Sequence, residues 1–144
     1  MWLPLVDAGK SLVLTPTVSF QQITNFMSQT ESIQPTTQQW TTICSLDRIL
    51  PNTGVCALIN DRQVAIFRVG EGIDVYAIDN YDPFSKAYVL SRGIVGDRNG
   101  IPKVASPIYK QNFSLLTGEC LDDLSVKLQT FSAQVIDGQV QVSA

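Results

Sequence analysis

Histidine is absent from all 144 residues. That absence removes imidazole acid–base catalysis, Ser–His and Cys–His nucleophile pairs, and imidazole metal ligands. It also excludes any di-iron centre that takes two imidazoles on one iron. Cysteine is scarce: Cys44, Cys56 and Cys120 are an odd set with no Cys-x-x-Cys spacing. Neither a disulfide framework nor a zinc site is expected from them, and they read as small buried hydrophobes, Cys56 as a mid-strand core residue. No apolar run approaches the roughly 20 residues that span a bilayer, so no membrane contact is expected. No basic cluster is present either. With a net charge of −3 and a pI near 4.7, the chain is repelled by phosphate backbones, which argues against nucleic acid as a partner. Lys10 is the only early basic residue, and Ser11-Leu12-Val13-Leu14 is cut short by Pro16. That is too little for a secretory leader.

Hydrophobic residues make up 44% of the chain, enough for one packed core in one domain. Composition changes near Trp40. Residues 1–39 include Gln34-Pro35-Thr36-Thr37-Gln38-Gln39 and read as an extension and linker, with Val18 to Met27 a short helix or an added strand. Residues 40–144 read as the folded unit. Ser45 to Pro51 reads as a helical turn. Val55–Ile59 and Gln63–Val69, joined by Asn60-Asp61, read as a hairpin. Ile73 to Ile78 reads as a strand, and Ser85 to Leu90 as a short helical turn. Ile94-Val95 and Pro102–Ala105 flank a turn at Asp97–Gly100. Asn112–Leu115 precedes a turn at Thr117-Gly118, and a long strand runs from Val126 to Val135. Asp137-Gly138 then makes a hairpin with Gln139–Val142. Short strands with evenly spaced turns predict an all-β fold, a sandwich of stacked antiparallel sheets or a small barrel with short helical turns.

Two stretches carry a family pattern. Ala77-Ile78-Asp79-Asn80-Tyr81-Asp82-Pro83-Phe84 resembles the first ligand loop of Rieske domains, which holds Cys-x-His. Ser106-Pro107-Ile108-Tyr109, with Phe113 and Thr117-Gly118 behind it, resembles the second, which holds Cys-x-x-His. The chain is therefore similar to Rieske-like domains over roughly Trp40 to Val142, with all four ligand positions replaced. Asp82 and Ser106 stand where the cysteines would be, and Phe84 and Tyr109 where the histidines would be. Within that group, Leu50-Pro51-Asn52-Thr53-Gly54-Val55-Cys56-Ala57-Leu58 and Val89-Leu90-Ser91-Arg92-Gly93 resemble the small subunits of NAD(P)H-dependent nitrite reductase. That likeness implies a cytoplasmic, non-catalytic subunit of an oxidoreductase that reduces nitrite to ammonia in nitrate assimilation. It implies no cofactor on this chain, and FAD, sirohaem and a 4Fe–4S cluster on a large-subunit partner. Such small subunits begin just before the position of Trp40. Met27 is then a candidate start, and Met1 to Phe26 either an extension or an over-called start.

The donor set at the replaced positions has no affinity for soft iron–sulfur chemistry. Asp82, Ser106 and Tyr109 as a hard-metal site would be three weak ligands without an imidazole. Phe84 is expected to fill vacated volume. Asp82 either accepts a hydrogen bond from Tyr109 or is solvated. Tyr81, Pro83, Phe84, Pro107 and Ile108 crowd the tip, either as a docking patch for the partner subunit or packed on one another. Asn112-Phe113-Ser114 matches a glycosylation sequon by chance, Gly70 and Gly72 form a turn, and Asp122-Asp123 reads as a solvated acidic pair. Arg92 and Arg98 read as solvated, with pairing to a partner carboxylate the alternative. A stand-alone interaction module on the same scaffold is the rival functional reading.

Overall fold

The computed structural model describes residues 37–144. The expectations for Val18–Met27, for Met27 as a start and for most of the linker lie outside them. Strand β1 (Thr41–Ser45) runs into a 3-10 turn at Leu46–Arg48. Then come β2 (Thr53–Ile59), β3 (Arg62–Arg68), β4 (Val75–Asp79), β5 (Tyr81–Asp82) and β6 (Ala87–Tyr88). A second 3-10 turn at Leu90–Arg92 precedes β7 (Ile94–Arg98), β8 (Ile101–Ala105), β9 (Asn112–Ser114), β10 (Thr130–Ile136) and β11 (Gln139–Ser143). All pairings are antiparallel. They build a six-stranded sheet in the order β1-β11-β10-β4-β3-β2, a two-stranded ladder β5-β6 and a three-stranded sheet β7-β8-β9.

The hairpins follow from turn chemistry. Asn60-Asp61, Asn99-Gly100 and Asp137-Gly138 all take positive φ, between 51° and 84°. That backbone twist matches the right-handed twist of the strands it joins, and Asn, Asp and Gly tolerate it best.

Alternation along β3 and β4 explains the layering. Val64, Ile66, Val75 and Ala77 face a first core cluster with Leu46, Ile49, Val140 and Val142. Because β11 meets β3 there although two strands lie between them, the six-stranded sheet curls on itself. Ala65, Phe67 and Ile78 face the opposite way. They join Leu90, Val104, Phe113, Leu115, Cys120 and Leu128 in a second cluster under the three-stranded sheet. Strands β3 and β4 are thus covered on both faces, which accounts for their nearly continuous apolar runs. Gly118 (φ +82°) closes this second layer. A Cβ there would sit 2.2 Å from the Leu128 carbonyl oxygen.

Four expectations need correction. Cys56 is exposed, not core. On edge strand β2, Val55, Ala57 and Ile59 turn toward the first cluster, which puts Cys56 on the other face. The segment Ser85–Leu90 is not a helical turn of its own: Ser85-Lys86 end the turn that starts at Asp82, Ala87-Tyr88 pairs back on Asp82-Tyr81, and the 3-10 turn begins only at Leu90. Strand β4 begins at Val75, and Ile73 is left exposed. Finally, the alternating run Val126–Val135 is divided. Leu128 N–H bonds Gly118 O and Cys120 N–H bonds Val126 O, so only from Thr130 does the chain enter the large sheet.

Candidate functional site

Two loops of similar build meet at one end of the second layer. The first is Asp82-Pro83-Phe84-Ser85-Lys86 and the second Ser106-Pro107-Ile108-Tyr109-Lys110. Each has a proline after its first residue. Each closes with the amide of its fifth residue donating to the carbonyl of its first, Lys86 N to Asp82 O at 2.7 Å and Lys110 N to Ser106 O at 3.1 Å. Each ends on a lysine in the left-handed region, at φ 59° for Lys86 and 69° for Lys110. These are single helical turns that stop, and the left-handed residue reverses the chain.

The first residues of the two loops face each other. Ser106 Oγ donates to Asp82 Oδ2, and both residues are 0% exposed. Ser85 Oγ donates to the same oxygen at 2.8 Å, and Phe84 N–H to Asp82 Oδ1 at 2.9 Å. Ser106 Oγ also accepts from Ile108 N–H at 3.3 Å. Burial alone would raise the Asp82 pKa. Hydrogen bonds from Ser106, Ser85 and the backbone of Phe84 and Ser85 outweigh it and hold the carboxyl below its ordinary range. Asp82 and Ser106 therefore latch the two loops together. The expected bond from Tyr109 to Asp82 is not formed, and Asp82 is not solvated: two serine hydroxyls occupy Asp82 Oδ2, while Tyr109 is 62% exposed.

The middle residues of the two loops diverge. Phe84 is half-buried against the second cluster, its ring centroid 6.1 Å from that of Phe113, as expected of a residue filling volume. Ile108 is 48% exposed. Pro83 and Pro107 are half-buried. Tyr81, assigned to the tip by sequence, packs edge-on against Tyr88 at 5.0 Å across the β5-β6 ladder. Sequence reasoning missed exposed Tyr109 as a tip residue. It also missed the two Pro-x-x-Lys runs, a signal that was in plain view. Behind the first loop, buried Asn80 donates to Gln63 Oε1 at 3.0 Å and accepts from Ser91 N–H at 2.8 Å, tying the loop's base to β3 and the second 3-10 turn.

The acidic pair is split. Asp122 accepts from Asn112 N–H and Nδ2 at 2.7 and 2.9 Å and pairs with Arg98 at 3.1 Å. The Asn112 bonds and Arg98 lower its pKa against a smaller burial effect. Arg98 is therefore neither simply solvated nor free for an outside carboxylate, and Asp122 is not simply solvated. Arg92 is exposed. An open polar groove of about 440 Å³ is lined by Leu58, Asp61, Arg62, Gln63, Asp79, Tyr88 and Gln129. It brings together no nucleophile–base pair.

A [2Fe–2S] cluster does not fit the latch. The four positions that the resemblance assigns to ligands offer a carboxylate committed to three donors, a phenyl ring, a hydroxyl already bonded and an exposed phenol. None is a thiolate or an imidazole. Cys120 is buried in the second cluster, and Cys44 and Cys56 lie on β1 and β2. Among the described residues, no three His, Cys, Asp or Glu are grouped to hold a metal ion.

Comparison with known proteins places these observations. The sequence profile of the Rieske-like [2Fe-2S] domain matches residues 39–143. The Nitrite reductase (NADH) small subunit of Escherichia coli K12 is 49% identical over 104 residues, covering 72% of this chain and 96% of that one. The solution structure of the nitrite reductase [NAD(P)H] small subunit from Erwinia carotovora superposes with a TM-score of 0.65 at 50% identity, covering 75% of this chain and 83% of that one. A stretch of the Klebsiella oxytoca Nitrite reductase [NAD(P)H] large subunit is 40% identical over 121 residues, 84% of this chain but 12% of the longer protein.

Proposed function

Because this chain belongs to the Rieske-like [2Fe-2S] domain family, among the nitrite reductase small subunits, we propose that it is the non-catalytic small subunit of an NAD(P)H-dependent nitrite reductase. The observation that carries this reading is the 49% identity over 96% of the Escherichia coli small subunit. A stretch 40% identical to this chain inside the Klebsiella large subunit supports a large subunit as the partner, since a domain fused to its partner works in contact with it.

In this reading residues 40–144 are the working domain and residues 1–39 an extension. The enzyme reduces nitrite to ammonia in the cytoplasm for nitrate assimilation, and the partner holds FAD, sirohaem and a 4Fe–4S cluster. Neither nucleic acid nor membrane is bound. Net charge −3 supports the first, and no described helix is long and apolar enough to cross a bilayer. The two latched loops offer a cluster no thiolate or imidazole, which supports a contribution limited to docking on the partner and supporting its active form. The tip of Pro83, Phe84, Pro107, Ile108 and Tyr109 is the docking face, with Tyr81 at its margin. An apolar, partly exposed tip of this kind resembles the centre of a protein–protein interface more than ordinary surface.

The test is a pull-down with the large subunit, followed by nitrite-dependent NADH oxidation with and without this chain. A stable complex with raised turnover supports the proposal; no complex and an unchanged rate overturn it.

A further inference from the structure

The tip carries a charge that the rest of the molecule does not. Within residues 80–115 the cations besides Arg98, which pairs with Asp122, are Lys86, Arg92, Lys103 and Lys110, and the carboxylates only Asp82 and Asp97. The whole chain is nonetheless at −3. In the two loops the sole carboxylate is Asp82, fully buried and turned to the serine hydroxyls. Lys86 and Lys110 are exposed. They stand at equivalent positions of the two latched loops, and the one ion pair among the described residues involves neither. Lys110 Nζ reaches back only to the Pro107 carbonyl, at 2.8 Å.

Both lysines also sit at positive φ, where glycine is free and a side chain is strained. Glycine would relieve that strain at both positions, so a lysine-to-glycine change removes the charge without loading the backbone.

We infer that Lys86 and Lys110 are the cationic rim of the docking tip, and that its occupant is a large-subunit surface with carboxylates around an apolar recess that takes Ile108 and Tyr109. This rests on the docking reading above and adds the chemistry of the partner's face. Complementary charge would steer the encounter and fix the register of two loops on one recess.

The test measures binding of the full chain to the large subunit at several salt concentrations. The variants are Lys86→Gly, Lys110→Gly, Lys86→Glu and Lys110→Glu, with Arg48→Glu as control. Arg48 is exposed on the 3-10 turn after β1. Both glycine variants should unfold at temperatures equal to or above wild type, because the left-handed strain is removed, yet bind several-fold more weakly. The glutamate variants should weaken binding by about tenfold or more at low salt. The control should stay within about twofold, and wild-type affinity should fall as salt rises. If binding persists, is insensitive to salt and ignores the lysines while Ile108→Ala weakens it, the rim is overturned and the docking reading stands. Equal losses in the control overturn it too. Loss of all binding by the wild type overturns the docking reading itself. Self-association of the chain at low salt through this tip, or comparable binding to vesicles of equimolar phosphatidylcholine and phosphatidylserine, would overturn the assignment of the partner.

Discussion

Ser106→Ala removes one donor from a buried carboxylate and nothing else of size. Asp82 keeps Ser85 Oγ at 2.8 Å and Phe84 N–H at 2.9 Å, while Ile108 N–H loses its 3.3 Å acceptor. A hydrogen bond to a charged group contributes about 1.5–3 kcal/mol. For a domain near 100 residues, about 4 °C of melting temperature goes with each kcal/mol, so the variant should melt about 6–12 °C lower at pH 7. The pH dependence follows from the direction of the Asp82 shift. A carboxyl held below its unfolded value contributes stability that is fully present above that value and is lost as pH falls through the folded one. Wild type should therefore lose more than the variant between about pH 5 and pH 2, and the gap should narrow with acid. Paired urea titrations at several pH values measure it. A gap below about 0.5 kcal/mol at pH 7, the level of an ordinary surface substitution, or one unchanged into strong acid, would refute the latch.

Tyr109→Ala should change stability by less than about 0.5 kcal/mol, because the ring is largely exposed; thermal unfolding checks it. Phe84→Ala should cost about 1.5–3 kcal/mol, less than a fully buried phenylalanine, as its half-buried ring leaves the second cluster. Gly118→Ala should be among the most damaging single changes, about 2 kcal/mol or more by denaturant unfolding, since it adds left-handed strain to a backbone clash. In the native protein a thiol reagent should modify exposed Cys56 first, more slowly than a free thiol because partial burial raises its pKa. Cys120 should react only on unfolding.

Turn chemistry and alternation made most of the fold legible in the sequence. Asn60-Asp61 and Asp137-Gly138 announce their hairpins, and the apolar runs of β3 and β4 announce burial. What was not legible depended on which partner a segment meets. Val126–Val135 alternates without a break, yet its first half bonds the Gly118–Cys120 loop and its second half β4. Cys56 looks like its core neighbours, and only its place on an edge strand exposes it. At the site, the framing residues pointed to Asp82, Phe84, Ser106 and Tyr109, and of these the structure bonds Ser106 to Asp82. That Ser106 rather than Tyr109 would reach Asp82 was not legible, because it follows from how closely two loops distant in sequence approach each other.

Iron and acid-labile sulfide content of the purified chain is the most direct check on a latch of Asp82 and Ser106 in place of a cluster. The account predicts a colourless protein with neither above trace. Two irons and two sulfides per chain would contradict it.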